Sequence, residues 1–127
     1  MATNQDCRIE TALVEQLKQR MLLRKADLMN RLRMKSAEIK SGIDLRGDEI
    51  DQTLAVMAEN TLLVFQSRIR DELLEIESAL ARIQQGTFGI CEETEEPIER
   101  ERLIALPWTR LSIEGAEIRE AVRKRFA

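Results

Sequence analysis

A chain of 127 residues is long enough for one compact domain, or for a small domain with an extended appendage. Charged residues make up 34% and aromatic residues 3%, with no tyrosine, a balance that suits long solvent-exposed helices better than a rounded core. A formal net charge of −3 argues against binding DNA through many neutralised phosphates, and the lack of histidine removes the commonest general base and metal ligand.

The N-terminal residues carry no apolar run of the signal-peptide kind, and no stretch approaches the length of a membrane span. Cys7 and Cys91 lie far apart and do not form a disulfide framework, so a reducing cytoplasm is the expected location.

The first helix is expected over residues 8–41. Leu17, Met21, Leu28, Leu32 and Ile39 recur at steps of four and seven, which puts them on one helical stripe. Residues 16–40 also carry eight basic side chains (Lys18, Arg20, Arg24, Lys25, Arg31, Arg33, Lys35 and Lys40) against Asp27 and Glu38. Such a local field favours a protein partner with a complementary patch. The segment Ser41–Gly47, bounded by Gly42 and Gly47, is expected to break the helix.

A second helix is expected from near Asp48 to about Gln84, with Gly86 as its stop. Its stripe is Ile50, Leu54, Met57, Leu62, Phe65, Ile69, Leu73, Ile76, Leu80 and Ile83, in heptad steps from Ile69 onward. Two long amphipathic helices joined by a short turn bury their stripes against each other, so an antiparallel coiled-coil hairpin follows. The sequence thus divides into residues 1–85, with the hairpin tip near 42–53, and a loop-rich module with a last helix in 86–127. Ser112 is placed to cap a helix over Ile113–Phe126, whose end carries Arg123, Lys124 and Arg125.

Residues 86–117 carry Cys91, Thr94, Ser112 and Gly115 at the spacing x2, x17, x2, framed by Gly89, Ile98, Arg102, Leu103, Ala105 and Pro107. This segment closely resembles the zinc finger of the DksA/TraR family of bacterial transcription regulators, whose pattern is C-x2-C-x17-C-x2-C. One of the four ligands survives. A structural zinc needs four nitrogen or sulfur donors, which Thr, Ser and Gly do not supply. The resemblance implies an all-α fold, a long coiled-coil hairpin with a finger-like module and a C-terminal helix. The residues themselves imply no zinc and no other cofactor.

The same family carries D-x-x-D-x-A at the hairpin tip, and Asp48 and Asp51 fall on its aspartates while Thr53 replaces the alanine. The resemblance implies that the tip enters the secondary channel of bacterial RNA polymerase and alters open-complex stability at promoters, including ribosomal RNA promoters. Two carboxylates placed near magnesium and basic groups have strong effects at short range. Both aspartates also suit helix capping and the N-terminal dipole, and the two roles are compatible. Arg68 falls on a basic polymerase-contact position; the alternative is an intrahelical pair with Glu72.

Three readings of Cys91 stand: a metal-free vestige, a redox thiol, or a rebuilt metal site with Glu92 or Glu95. The six glutamates of residues 92–101 should raise a thiol pKa and leave little thiolate. In place of zinc, Phe88, Ile98, Leu103, Leu106, Trp108, Leu111 and Ile113 are expected to form a small core. Arg100 and Arg102 are expected to neutralise the glutamates. Positions that the family uses toward guanosine tetraphosphate fall on Glu75, Leu106 and Ala116, none of them basic, so a weak response or none is implied. Arg102, Arg119, Arg123 and Lys124 are the candidates to substitute for them.

The sequence offers an enzyme little: no nucleophile beside a base, no phosphate-cradling glycine loop and no metal cluster. Two classes remain, a monomeric polymerase-binding regulator that makes no direct contact with DNA or membrane, and a coiled-coil adaptor with another protein partner.

Overall fold

The computed structural model describes residues 10–46 and 52–126, with side chains over 10–42 and 52–126. Four helices follow in order: α1 (Thr11–Arg46), α2 (Gln52–Gln85), α3 (Arg100–Ala105) and α4 (Ile113–Phe126). Among the described residues the only β pairing is an isolated bridge between Ile90 and Pro97. The fold class is all-α, a helical hairpin with a small C-terminal module, as the sequence implies.

Helix α1 runs 36 residues, roughly 54 Å, and contains no proline. It does not stop at Ser41 as expected, but continues through Gly42 to Arg46. An exposed glycine inside a helix costs only about 1 kcal/mol relative to alanine, which Leu, Met, Arg and Lys on either side offset by their helix propensity. The expected start at residue 8, the break at Gly47 and the start of the second helix at Asp48 lie outside the described residues.

Helix α2 ends where Gly86 adopts φ +80°. The Gly86 amide donates to the Ile83 carbonyl at 3.3 Å and the Thr87 amide to that of Arg82 at 2.9 Å. These two bonds make a Schellman cap, whose left-handed residue is normally glycine.

The chain divides into two compact units. One is Leu23–Leu74; the other joins the described residues of Met1–Leu22 to those of Glu75–Ala127. The first turns of α1 and the last turns of α2 therefore belong with the module, whereas the sequence suggested a division at 85/86.

In the first unit α1 and α2 run antiparallel. The Arg24 guanidinium donates to both carboxylate oxygens of Glu72, at 3.0 and 3.3 Å, and Leu28 and Ile69 are buried. The α2 stripe departs from expectation toward its start: Leu54 and Met57 are 45% and 59% exposed. Carried back from Ile69 through Leu62, the heptad lands on Ala55 and Ala58, which are the half-buried positions. Leu54 and Met57 each sit one residue off that seam. Ile50 lies outside the described residues.

In the second unit Leu13 and Leu17 of α1 form one core with Cys91, Ile98 and Leu103, against which Phe88 and Leu111 pack. Met21, Ile76 and Ala79 are buried where α1 and α2 meet. The expected module core is correct for Phe88, Ile98, Leu103 and Leu111, and Trp108 is half-buried. Leu106 and Ile113 are exposed instead, their places taken by the two leucines of α1.

Candidate functional site

The segment between α2 and α3 folds into a tight knuckle. The Cys91 amide donates to the Glu96 carbonyl at 2.8 Å, the Glu95 amide to the Cys91 carbonyl at 2.9 Å, and the Ile98 amide to the Gly89 carbonyl at 2.7 Å. Glu95 closes the turn at φ +60°, an uncommon conformation for a residue with a side chain. The Glu92 amide donates to the Arg110 carbonyl at 3.0 Å, which ties the knuckle to the loop before α4.

This brings Cys91, Thr94, Ser112 and Gly115 together. The Thr94 amide donates to the Cys91 sulfur at 3.5 Å, and the hydroxyls of Ser112 and Thr94 and the Ser112 backbone also hydrogen-bond to it. Ser112 caps α4 as expected, its Oγ accepting from the Gly115 amide at 3.0 Å. A second cap was not foreseen: the Glu99 carboxylate accepts from the Ile113 amide at 3.0 and 3.1 Å. A carboxylate there meets the positive end of the helix dipole.

Gly115 has a role beyond lacking a ligand. A Cβ at that position would collide with the Cys91 sulfur, which fills the space a side chain would need. The donor set is therefore one thiol, two hydroxyls and a glycine whose open space is already taken. That set does not fit a tetrahedral structural zinc. Of the two carboxylates considered for rebuilding it, Glu92 is held by Arg110 and Arg119 at 3.5 and 3.6 Å. No group of three or more potential ligands capable of holding a metal occurs among the described residues.

Cys91 is 1% exposed. Burial pushes its thiol pKa up, but hydrogen bonds from the side chains and backbones of Ser112 and Thr94 outweigh that and lower it from 9.0 to about 6. The expectation that the glutamates would leave little thiolate is overturned, because donors in direct contact with the sulfur dominate over carboxylates turned to solvent and to arginines.

Those arginines are also not the expected ones. Arg100 pairs with Glu10 at 2.9 Å, and Arg102 donates to the Leu111 carbonyl at 2.7 Å. The glutamates are met instead by Arg110, which also reaches Glu75 at 2.8 Å, and by Arg119, which reaches Glu93 at 3.0 Å. Arg82 carries no sequence signal and was not anticipated. It donates to Ser78 Oγ at 2.9 Å and to the carbonyls of Trp108 and Thr109 at 3.4 Å. Burial, then the neighbouring Arg110, lowers its pKa below the usual guanidinium value.

At the hairpin, Arg68 is exposed, and Glu72 is engaged by Arg24 rather than by Arg68. Thr53 is exposed in the first turn of α2. Asp48 and Asp51 lie outside the described residues. Of the candidate alarmone contacts, Arg102 and Arg119 are held within the module and Glu75 is bonded to Arg110.

A helical hairpin with a C-terminal knuckle of the four-ligand finger type defines a class of finger-bearing hairpin proteins, here with a thiol–hydroxyl cluster at the ligand positions. Comparison with known proteins gives the same answer. Residues 86–121 match the prokaryotic dksA/traR C4-type zinc finger family. The chain is 30% identical over 107 residues to the RNA polymerase-binding transcription factor DksA of Caulobacter vibrioides, spanning 84% of this chain and 75% of that protein. An uncharacterized protein of Aquifex aeolicus is 34% identical over 108 residues, covering 83% and 74% of the two chains. The structure of transcription factor DksA2 from Pseudomonas aeruginosa superposes with a TM-score of 0.68 at 28% identity, over 91% of this chain and 88% of that one. The chain belongs to the DksA/TraR family.

Proposed function

We propose that this protein is a transcription regulator that binds bacterial RNA polymerase through the secondary channel. It places the Asp48–Asp51 tip near the active site and alters open-complex stability at promoters such as those of ribosomal RNA. The observation that carries this reading is likeness along the hairpin and the finger together, over 84% of the chain, to a relative whose name states polymerase binding. Arg68 supports it, since the guanidinium is exposed and no pair with Glu72 holds it. The protein works as a monomer, without catalysis of its own and without direct contact to DNA.

The regulator acts without zinc. The sulfur–hydroxyl cluster and the core around Leu103 supply the local order that a metal supplies in four-cysteine fingers. Its response to guanosine tetraphosphate is weak or nil, because Arg102 and Arg119 are bonded inside the module and Glu75, Leu106 and Ala116 offer no cation.

A photo-crosslinker at Thr53, in chelator-treated protein mixed with core RNA polymerase, tests the reading. Attachment to polymerase segments that line the channel beside the active site is expected. Absence of any polymerase adduct, with the protein folded, would reject the reading in favour of an adaptor with another partner.

A further inference from the structure

Residues 52–67 of α2 carry a single charge, Glu59. The seam side of this stretch is the half-buried set Ala55, Ala58, Leu62 and Phe65. On the opposite side Val56, Met57, Leu63 and Val64 are each more than half exposed. A helix that is apolar on both sides is normally covered on both sides.

The outward residues are arranged symmetrically about Asn60, which is exposed at the centre of the face. Val56 and Met57 lie four and three positions before it, and Leu63 and Val64 three and four positions after. At 3.6 residues per turn all of them fall within roughly 60° of the direction of Asn60. Thr53 and Ser67, both short and hydroxyl-bearing, close the pattern seven positions to either side. The face therefore keeps its character when the helix is reversed end to end.

We propose that this face pairs with the same face of a second copy, antiparallel, about a twofold axis at Asn60. Val56 then meets the partner's Leu63 and Met57 meets the partner's Val64, each contact occurring twice, as an isologous interface requires. The two Asn60 amides meet at the axis, where each offers a donor and an acceptor. One polar amide within an apolar seam is a known device for fixing register and strand number in helical pairs.

Other occupants fit this face less well. A lipid surface calls for Lys or Arg beside the apolar stripe, and residues 52–67 contain neither. A charged partner segment would find only Glu59 to answer it. The stretch from Thr53 to Ser67 is roughly 21 Å long. A contact of that length belongs with interfaces below about 1,200 Å², so the dimer is weak, with a micromolar dissociation constant. The inference goes beyond polymerase binding, which is proposed above for the monomer, and does not rest on it.

The test is sedimentation equilibrium of the full chain from low to high micromolar concentration, for wild type, Leu63→Glu, Asn60→Leu and Leu74→Glu. Wild type should pass from monomer to dimer. Leu63→Glu sets a carboxylate against the partner's Val56 and should weaken association roughly tenfold or more. Leu74 is as exposed as Leu63, at 56%, but lies beyond the end of the partner helix in this pairing, so Leu74→Glu should change nothing. Asn60→Leu should tighten association and loosen its orientation. Helix content by circular dichroism should be unchanged in all three variants. In a Cys7→Ser background, where the remaining Cys91 is buried, Val56→Cys and Leu63→Cys proteins mixed under mild oxidant should join to each other and neither to itself.

A wild type that stays monomeric throughout, or a dimer that Leu63→Glu leaves unchanged, overturns the pairing. Val56→Cys joining to itself overturns the antiparallel arrangement. A monomer that binds anionic vesicles through this face, or whose affinity for core RNA polymerase falls with Leu63→Glu, gives the face to that occupant and also overturns the pairing.

Discussion

The Cys91 sulfur occupies the space that a side chain at residue 115 would need. The first and fourth ligand positions of the finger are thus complementary: the cysteine sulfur fills the site and the glycine leaves room for it. Gly115→Ala should destabilise the protein by about 1–3 kcal/mol through overpacking, although alanine is the better helix former. In a Cys91→Ala background the same change should be neutral or stabilising. Urea unfolding of the four proteins measures this; equal effects of Gly115→Ala in both backgrounds would show that the contact does not matter.

Ser112 joins two tasks, accepting from the Gly115 amide and donating to the Cys91 sulfur. Ser112→Ala should cost about 0.5–2 kcal/mol as a lost cap. It should also raise the Cys91 pKa, since a thiolate-stabilising donor is gone. Thiolate absorbance in a Cys7→Ser background reads the second effect, and an unchanged titration midpoint would separate the hydroxyl from the sulfur.

The lowered thiol pKa sets a pH dependence. Cys91 falls from 9.0 to about 6 on folding, so the folded state releases a proton that the unfolded chain retains between these values. Stability should therefore rise with pH from about 6 to 9, and this contribution should vanish below the folded value. Melting temperature against pH is the measurement. Cys91→Ser should flatten the rise, and a parallel slope in wild type and variant would contradict the ionisation.

Arg82 anchors the loop before α4 to α2 through Ser78 Oγ and the carbonyls of Trp108 and Thr109. Arg82→Met keeps most of the apolar stem but leaves those acceptors unmet, with an expected loss of about 1–3 kcal/mol. Hydrogen exchange should quicken most around residues 108–112. A uniform change across the chain would mean that the anchor is not local.

What the sequence made legible was local and periodic. The α1 stripe, the α2 stripe from Leu62 onward, the Gly86 stop and the Ser112 cap each depend on residues within a few positions of one another. Gly42 misled because one exposed glycine is too weak a signal to end a helix with good formers on either side. Leu13 and Leu17 joining Cys91 and Leu103, or Arg110 rather than Arg100 meeting Glu92, are contacts between distant segments that no spacing encodes. The ligand positions were legible as positions. That Gly115 is required by the sulfur beside it became visible only once α4 and the knuckle were placed together.

The function proposed for this protein is control of transcription at the polymerase without zinc. Its most direct measurement is transcription in vitro from a ribosomal RNA promoter with purified bacterial polymerase and chelator-treated protein, comparing wild type with Asp48→Asn/Asp51→Asn. Inhibition by wild type should persist in chelator and be lost in the double variant. Inhibition that requires added zinc, or no effect from wild type, would contradict it.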